Sequence, residues 1–368
     1  MTGNLARLPA LGQSPWLDNL QRRMLSDGSL AALISRGIRG LTSNPTIFQK
    51  AIQGSDDYDE QFFSLIASGT TPEDAYWELV IADIRAAAEL LSGVHAQSDG
   101  TDGHVSVEVD PRLAHDTEGT LHAARALDEK TDCPNVMIKI PATRAGLPAI
   151  RTMISEGRNV NVTLIFSLGR YEDVMETYIT GLEDRFSAGL PVSGIASVAS
   201  FFISRVDSEI DARLDAIGTD EASGLKGTAA VSQARLAYES FRTTFSGERW
   251  DRLARHGAQV QRPLWASTST KNPAYPDTLY VDSLIGPSTV NTLPDATLEA
   301  FDDHGSVAQT IDVGLQGARE RWAALERVGV GLREVADKLE SEGVASFIKS
   351  FEDLLGTLRA KSGSSGTV

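Results

Sequence analysis

The sequence predicts an α/β protein built as a closed (β/α)8 barrel of the TIM type, and three observations carry that expectation. Short apolar runs alternate with longer stretches of helical periodicity along the chain, the pattern of βα units around a parallel sheet. Eight such runs can be read, near residues 14–20, 37–43, 104–110, 134–140, 159–166, 194–201, 259–267 and 288–294, the number that closes a barrel. Several of them, such as Val136-Met137-Ile138-Lys139-Ile140, are almost continuously apolar, as strands buried on both faces are. No Gly-x-Gly-x-x-Gly follows a strand and there is no P-loop, so an open dinucleotide- or triphosphate-binding sheet lacks its defining feature.

Between the runs the helices are punctuated. At Thr71-Pro72-Glu73-Asp74 the threonine can cap, proline suits the first turn and the acids favour the N-terminal dipole, so one helix is expected over 72–91. The segments near 50–100 and 204–255 are each long enough for more than one helix and are expected as helical insertions. Val344, Phe347, Ile348, Phe351, Leu354, Leu355 and Leu358 recur at helical spacing, predicting a terminal helix packed across the barrel. The expected organisation is an N-terminal tail over 1–13, a single barrel domain over 14–360 with C-terminal helices, and a disordered, small and polar tail over 361–368.

Composition bounds the function classes. The chain has 368 residues, 41% of them hydrophobic and 23% charged, which is ordinary for a soluble globular protein. Its 50 acidic and 34 basic residues give a net charge of −16, which argues against binding nucleic acid or an anionic membrane. An anionic ligand must be met by a local basic cluster. Cys133 is the single cysteine, so no intramolecular disulfide is expected and a reducing compartment fits. The opening Met1 to Leu8 lacks a signal-peptide core and no apolar stretch reaches membrane-spanning length, so a cytoplasmic protein is expected. His95, His104, His115, His122, His256 and His304 form no metal-binding pair, and no metal or cofactor is expected.

Lys139 is the most informative residue. A lysine inside an apolar strand is pushed toward the neutral, nucleophilic amine that Schiff-base chemistry on a carbonyl requires, although its head could also escape to solvent. Other polar groups close neighbouring strands: Asp18, Asn44, Glu108, Asn161 with Thr163 two residues on, and Ser200. Singly each has a structural explanation. Asn44 before Pro45 is a common turn pair, Asp18 can cap a helix, Glu108 can pair with Arg112, and Asn161 or Thr163 can satisfy backbone groups. Together, at one end of successive strands, they make an amine nucleophile, two candidate acid/base carboxylates and several hydroxyl-binding groups. Arg205 near a helix start, after Ser200, offers a fork suited to phosphate, and Lys271 in the loop after the seventh strand offers a second cation.

Four motifs resemble the transaldolases, and within them the longer branch typical of actinobacteria. They are Leu41-Thr42-Ser43-Asn44-Pro45-Thr46-Ile47-Phe48, Val107-Glu108-Val109-Asp110-Pro111-Arg112-Leu113, Ile138-Lys139-Ile140-Pro141-Ala142-Thr143 and Asn159-Val160-Asn161-Val162-Thr163-Leu164-Ile165-Phe166-Ser167. The resemblance implies a barrel of the class I aldolase type and a cytoplasmic, metal-independent transferase of the pentose phosphate pathway. Such an enzyme moves a dihydroxyacetone unit from sedoheptulose 7-phosphate to glyceraldehyde 3-phosphate, giving erythrose 4-phosphate and fructose 6-phosphate. It implies that Lys139 forms the Schiff base, that Asp18 takes the proton of the C4 hydroxyl, and that Glu108 works through a water held by Thr163. Asn44 and Asn161 look like the family's hydroxyl-binding amides, and Ser200 and Arg205 like its phosphate-binding pair. Lys271 stands where many relatives carry arginine, and Phe202 where the related fructose 6-phosphate aldolases carry tyrosine. An aldolase that releases dihydroxyacetone to water, and a silent barrel that only binds sugar phosphates, are the competing readings. Oligomeric state is not legible in the sequence.

Overall fold

The computed structural model describes residues 3–364. Eight parallel strands close a barrel in chain order: β1 (Gln13–Leu17), β2 (Leu41–Thr42), β3 (Val105–Glu108), β4 (Val136–Pro141), β5 (Val160–Ile165), β6 (Ser197–Phe202), β7 (Arg262–Ala266) and β8 (Thr289–Leu293). Closure is made by β1 on β8, in register from Gln13 opposite Thr289 to Leu17 opposite Leu293. Every expected run overlaps its strand, and Gln13, Pro141 and Phe202 each lie one residue beyond the expected bounds. The second is far shorter than residues 37–43, because only Leu41 and Thr42 pair with β3. Just before them Gly40 lies against the Trp16 ring, so closely that a Cβ there would fall 2.5 Å from the indole. Glycine is the residue that permits such an approach.

All six residues of β4 and all six of β5 are buried, on one side against helices and on the other in the barrel, which explains why β4 is apolar apart from Lys139. Helix Pro72–Gln97 starts as expected: the Thr71 hydroxyl accepts from the Asp74 N–H, with Pro72 in the first turn. Ala75, Leu79, Ile84, Ala88 and Leu91 form its buried face, and it continues past Leu91 to Gln97. Pro45–Gln53 and Asp59–Ala67 precede it, while Ser204–Ile217, Asp220–Ser223, Ala229–Thr244 and Glu248–Ala254 fill the second inserted region. Among the described residues no helix is long and apolar enough to cross a membrane.

The two expected tails need correction. Leu5–Leu11 is a 3-10 helix with Leu5 and Leu8 fully buried, and the Leu5 N–H donates to Asp302. The burial of these two leucines, with the Asn4 amide donating to the Phe301 and Gly305 carbonyls, docks this segment. At the other end the helix Leu332–Ser364 carries through Lys361–Ser364, part of the stretch expected to be disordered. Its apolar stripe reaches Leu358 and Lys361 pairs with Asp59, so the last turn is propagated from a packed face. Residues 365–368 of the expected tail lie outside the described residues. This helix packs against Pro45–Gln53, Pro72–Gln97 and Ser204–Ile217, across the C-terminal mouth of the barrel.

Candidate active site

At the C-terminal ends of the strands Lys139 stands in register between Glu108 of β3 and Asn161 of β5. Its side chain points into the barrel and is only 5% exposed, and Nζ lies 3.4 Å from Glu108 Oε2. Nζ also donates to the Ser43 carbonyl at 3.3 Å, and the Phe347 ring, from the C-terminal helix, is centred 5.9 Å away. The lysine head therefore does not escape to solvent.

Burial pushes the Glu108 carboxyl up to about 7, against the pull of the neighbouring Lys139 ammonium. Glu108 pairs with Lys139 and not with Arg112, which is held by Asp110 and Glu73. The contact leaves Glu108 Oε2 without a hydrogen bond, and Thr163 Oγ1 is likewise buried and unpartnered. On β5 the register on β6 shifts between Val162 and Ile165, with Leu164 at φ +59°. A leucine in left-handed backbone marks a bulge directly after Thr163, of the kind that re-aims side chains beside a site.

Asp18 follows the end of β1, and its Oδ1 accepts from the Thr42 hydroxyl at 2.9 Å instead of capping a helix. Burial raises its carboxyl above the usual range, while Lys139 and the Thr42 hydroxyl act in the opposite direction. Asn44 does serve as a cap: its Oδ1 accepts from the Ile47 N–H at 3.0 Å, which leaves its amide NH2 to meet a ligand. Ser200 Oγ donates to Asn161 Oδ1 at 2.7 Å, and Asn161 Nδ2 donates to Ser106 Oγ at 3.0 Å. The three form a buried chain across β6, β5 and β3 that fixes the amide's orientation.

Asp18, Asn44, Lys139, Ser200, Arg205 and Lys271 all line one cavity of about 360 Å³. Glu108, Asn161 and Thr163 are buried in the strands around its floor. Arg205 sits in the first turn of Ser204–Ile217, its guanidinium 5.2 Å from the centre of the Phe202 ring. Lys271 Nζ donates to Ser269 Oγ at 2.6 Å. For both cations burial is the leading influence and disfavours the charge, and Arg205 adds to it at Lys271. Two cations held together at a cavity mouth, without a carboxylate bridging them, form a site for an anion. A larger cavity, about 640 Å³, opens at the opposite end of the barrel around Arg39 and Arg262. There Arg262 is already paired with Asp102, and none of the strand-end groups reaches it.

The sequence of this chain matches, over residues 15–358, the family model described as Transaldolase/Fructose-6-phosphate aldolase. It is 53% identical over 366 residues to "Transaldolase 1" of Streptomyces coelicolor, covering 99% of this chain and 96% of that one. The chain belongs to this family. Two further transaldolases, from Frankia alni and Thermobifida fusca, are 52% and 51% identical, each alignment covering at least 96% of both chains.

Several residues at this transaldolase-family site were not singled out by sequence reasoning. Lys50, from Pro45–Gln53, and Ser346 and Phe347, from the C-terminal helix, line the same cavity. They come from helices rather than strand ends, so the barrel rule does not point to them. Ser106 had a signal, since it precedes Glu108 by two residues and shares its face of β3. Among the described residues no group of three or more His, Cys, Asp or Glu is disposed to hold a metal ion.

Proposed function

We propose that the chain is a transaldolase of the pentose phosphate pathway that works through a Schiff base on Lys139. The observation that carries this reading is the Lys139 amine beside Glu108 in the same cavity as Asp18, Arg205 and Lys271. The neutral amine adds to the C2 carbonyl of sedoheptulose 7-phosphate, and loss of water from the carbinolamine gives an iminium. Glu108, titrating near neutral pH, supplies the proton for that departing water and recovers it during hydrolysis. A water held between Glu108 and the unpartnered Thr163 hydroxyl relays it.

Asp18 takes the proton of the C4 hydroxyl as the C3–C4 bond breaks. The bonding pair moves into the iminium to form an enamine, and erythrose 4-phosphate leaves. The enamine C3 then attacks the aldehyde of glyceraldehyde 3-phosphate, Asp18 returns its proton to the new hydroxyl, and hydrolysis frees fructose 6-phosphate. Asn44 and Asn161 hold the substrate hydroxyls, Ser200 orients the Asn161 amide, and Arg205 and Lys271 hold the phosphate. Phe202 supports transfer over release to water, because an apolar ring with no hydroxyl lines the cavity where a tyrosine could orient that water.

The partners are sugar phosphates. Nucleic acid is disfavoured by a net charge of −16, and the single, half-buried Cys133 fits a cytoplasmic setting. Borohydride reduction in the presence of fructose 6-phosphate, read by mass spectrometry, should place a dihydroxyacetone adduct on Lys139. An adduct elsewhere, or none, refutes the mechanism. Cleavage of fructose 6-phosphate at the same rate with and without an aldose acceptor refutes transfer in favour of free aldol cleavage.

A further inference from the structure

The helix that carries Arg205 presents Ser204, Asp207 and Asp211 on one face, at spacings of three and four residues. All three are tied to the segment that follows β7 and carries Lys271. The Ser204 N–H donates to the Ser267 carbonyl at 3.0 Å, and the two hydroxyls lie 3.0 Å apart. Ser267 itself holds a φ of +57°, a conformation that a serine keeps only where its surroundings enforce it. Asp207 Oδ2 accepts from the Tyr280 hydroxyl at 2.9 Å, and Asp211 Oδ2 accepts from the Tyr275 hydroxyl at 2.7 Å.

The Asp211 link is built on both sides. Its second oxygen accepts from the Gly227 N–H at 2.9 Å, which fixes the carboxylate before it meets the tyrosine. Gly227 has φ +70°, and a Cβ there would fall 2.7 Å from the Tyr275 ring, so a larger residue would push the ring away. A small cavity of about 290 Å³ lies between helix and loop, and Lys271 borders it as well as the substrate cavity. Lys271 therefore stands on the partition between the two. Where its ammonium sits relative to Arg205 depends on how the loop is held.

We propose that Asp211 and Tyr275 are positioning residues that latch the loop over residues 267–278 to the Arg205 helix and so set Lys271 for the phosphate of the substrate. The inference rests on the transaldolase reading of the cavity, although the anion site itself can be titrated without catalysis. Neither residue touches substrate. The latch acts through Lys271, so its effect must vanish where Lys271 is absent.

The test is a double-mutant cycle on Tyr275→Phe and Lys271→Ala, with Asp211→Asn as a second way of weakening the same hydrogen bond. Binding of inorganic phosphate by calorimetry and transfer kinetics are both read. Tyr275→Phe should weaken phosphate binding and raise KM for fructose 6-phosphate by about three- to tenfold, with kcat within about twofold. KM for unphosphorylated dihydroxyacetone as donor should not move. In the Lys271→Ala background, Tyr275→Phe should have no further effect. Additive losses in that background, or phosphate affinity unchanged by Tyr275→Phe and Asp211→Asn, overturn the proposal. A wild-type protein that binds phosphate through the latch but transfers no three-carbon unit refutes the transaldolase reading and leaves the latch standing.

Discussion

Glu108 and Lys139 stand opposite one another in register on β3 and β4, with their charged ends 3.4 Å apart and both side chains at most 5% exposed. A lone buried ammonium or carboxylate is strongly disfavoured, and removing either partner leaves the other uncompensated. The strand pairing thus sets an amine and a carboxyl in contact at the floor of the cavity. Lys139→Ala should abolish both the borohydride-trapped adduct and transfer, by at least about a thousandfold in kcat/KM. A variant keeping near wild-type turnover would remove Lys139 from the chemistry.

The Glu108 carboxyl also links pH to stability. Burial lifts it from about 4.5 to about 7, so between those values the folded protein retains a proton that the unfolded chain has released. Its contribution to stability is present below pH about 4.5 and is lost as the pH rises toward about 7. Glu108→Gln has no such group. The stability of Glu108→Gln relative to wild type, from urea unfolding at several pH values, should therefore increase across this window. A flat difference would contradict the elevated carboxyl. In the same variant turnover should fall by about 10²–10⁴, the range typical of lost proton transfer.

Arg205 is planar, half-buried and fixed against Phe202, whereas Lys271 is a point charge on an exposed loop. Arg205→Ala should raise KM for fructose 6-phosphate by about ten- to a hundredfold, the scale of a lost charge-assisted fork. KM for dihydroxyacetone should scarcely change. Arg205→Lys should recover only part of the loss, because an ammonium does not reproduce two parallel hydrogen bonds. Equal effects on both donors would dissociate Arg205 from the phosphate.

The barrel was legible because its strands are buried and several read as short apolar runs, with polar residues following or closing them at the C-terminal ends. That is why Asp18, Asn44, Lys139, Ser200, Arg205 and Lys271, scattered through the chain, converge on one cavity. Strand ends were less legible: β2 is two residues long, although Arg39 and Ser43 on either side of it still donate backbone hydrogen bonds to Pro15 and Ser106. Leu5 and Leu8 belong to no strand or long helical pattern in the sequence, yet both are fully buried. Lys50, Phe347 and Tyr275 reach the site or its supports through helix and loop packing. Nothing in the local spacing marks Lys50 or Tyr275, and the helical stripe that contains Phe347 marks packing rather than a place at the site.

Phe347 was visible in the sequence as part of an apolar helical stripe, but its place in the fold gives it a second consequence. It is 4% exposed and comes from a helix whose start, at Leu332, is nearly two hundred residues away in sequence from Lys139. Its ring, with Lys139 Nζ 5.9 Å from its centre, helps to keep water from the Lys139–Glu108 couple. Phe347→Ala should cost about 3 kcal/mol or less of stability, at the lower end for a buried phenylalanine because one side of the ring faces the cavity. The larger effect should be electrostatic. Water entering above Lys139 reduces the desolvation that holds Glu108 near 7, so its titration in the pH–rate profile should move toward lower pH. Phe347→Leu, which restores most of the apolar cover, should move it back. If the limb in Phe347→Ala stays where it is in wild type, the ring packs the helix without insulating the couple.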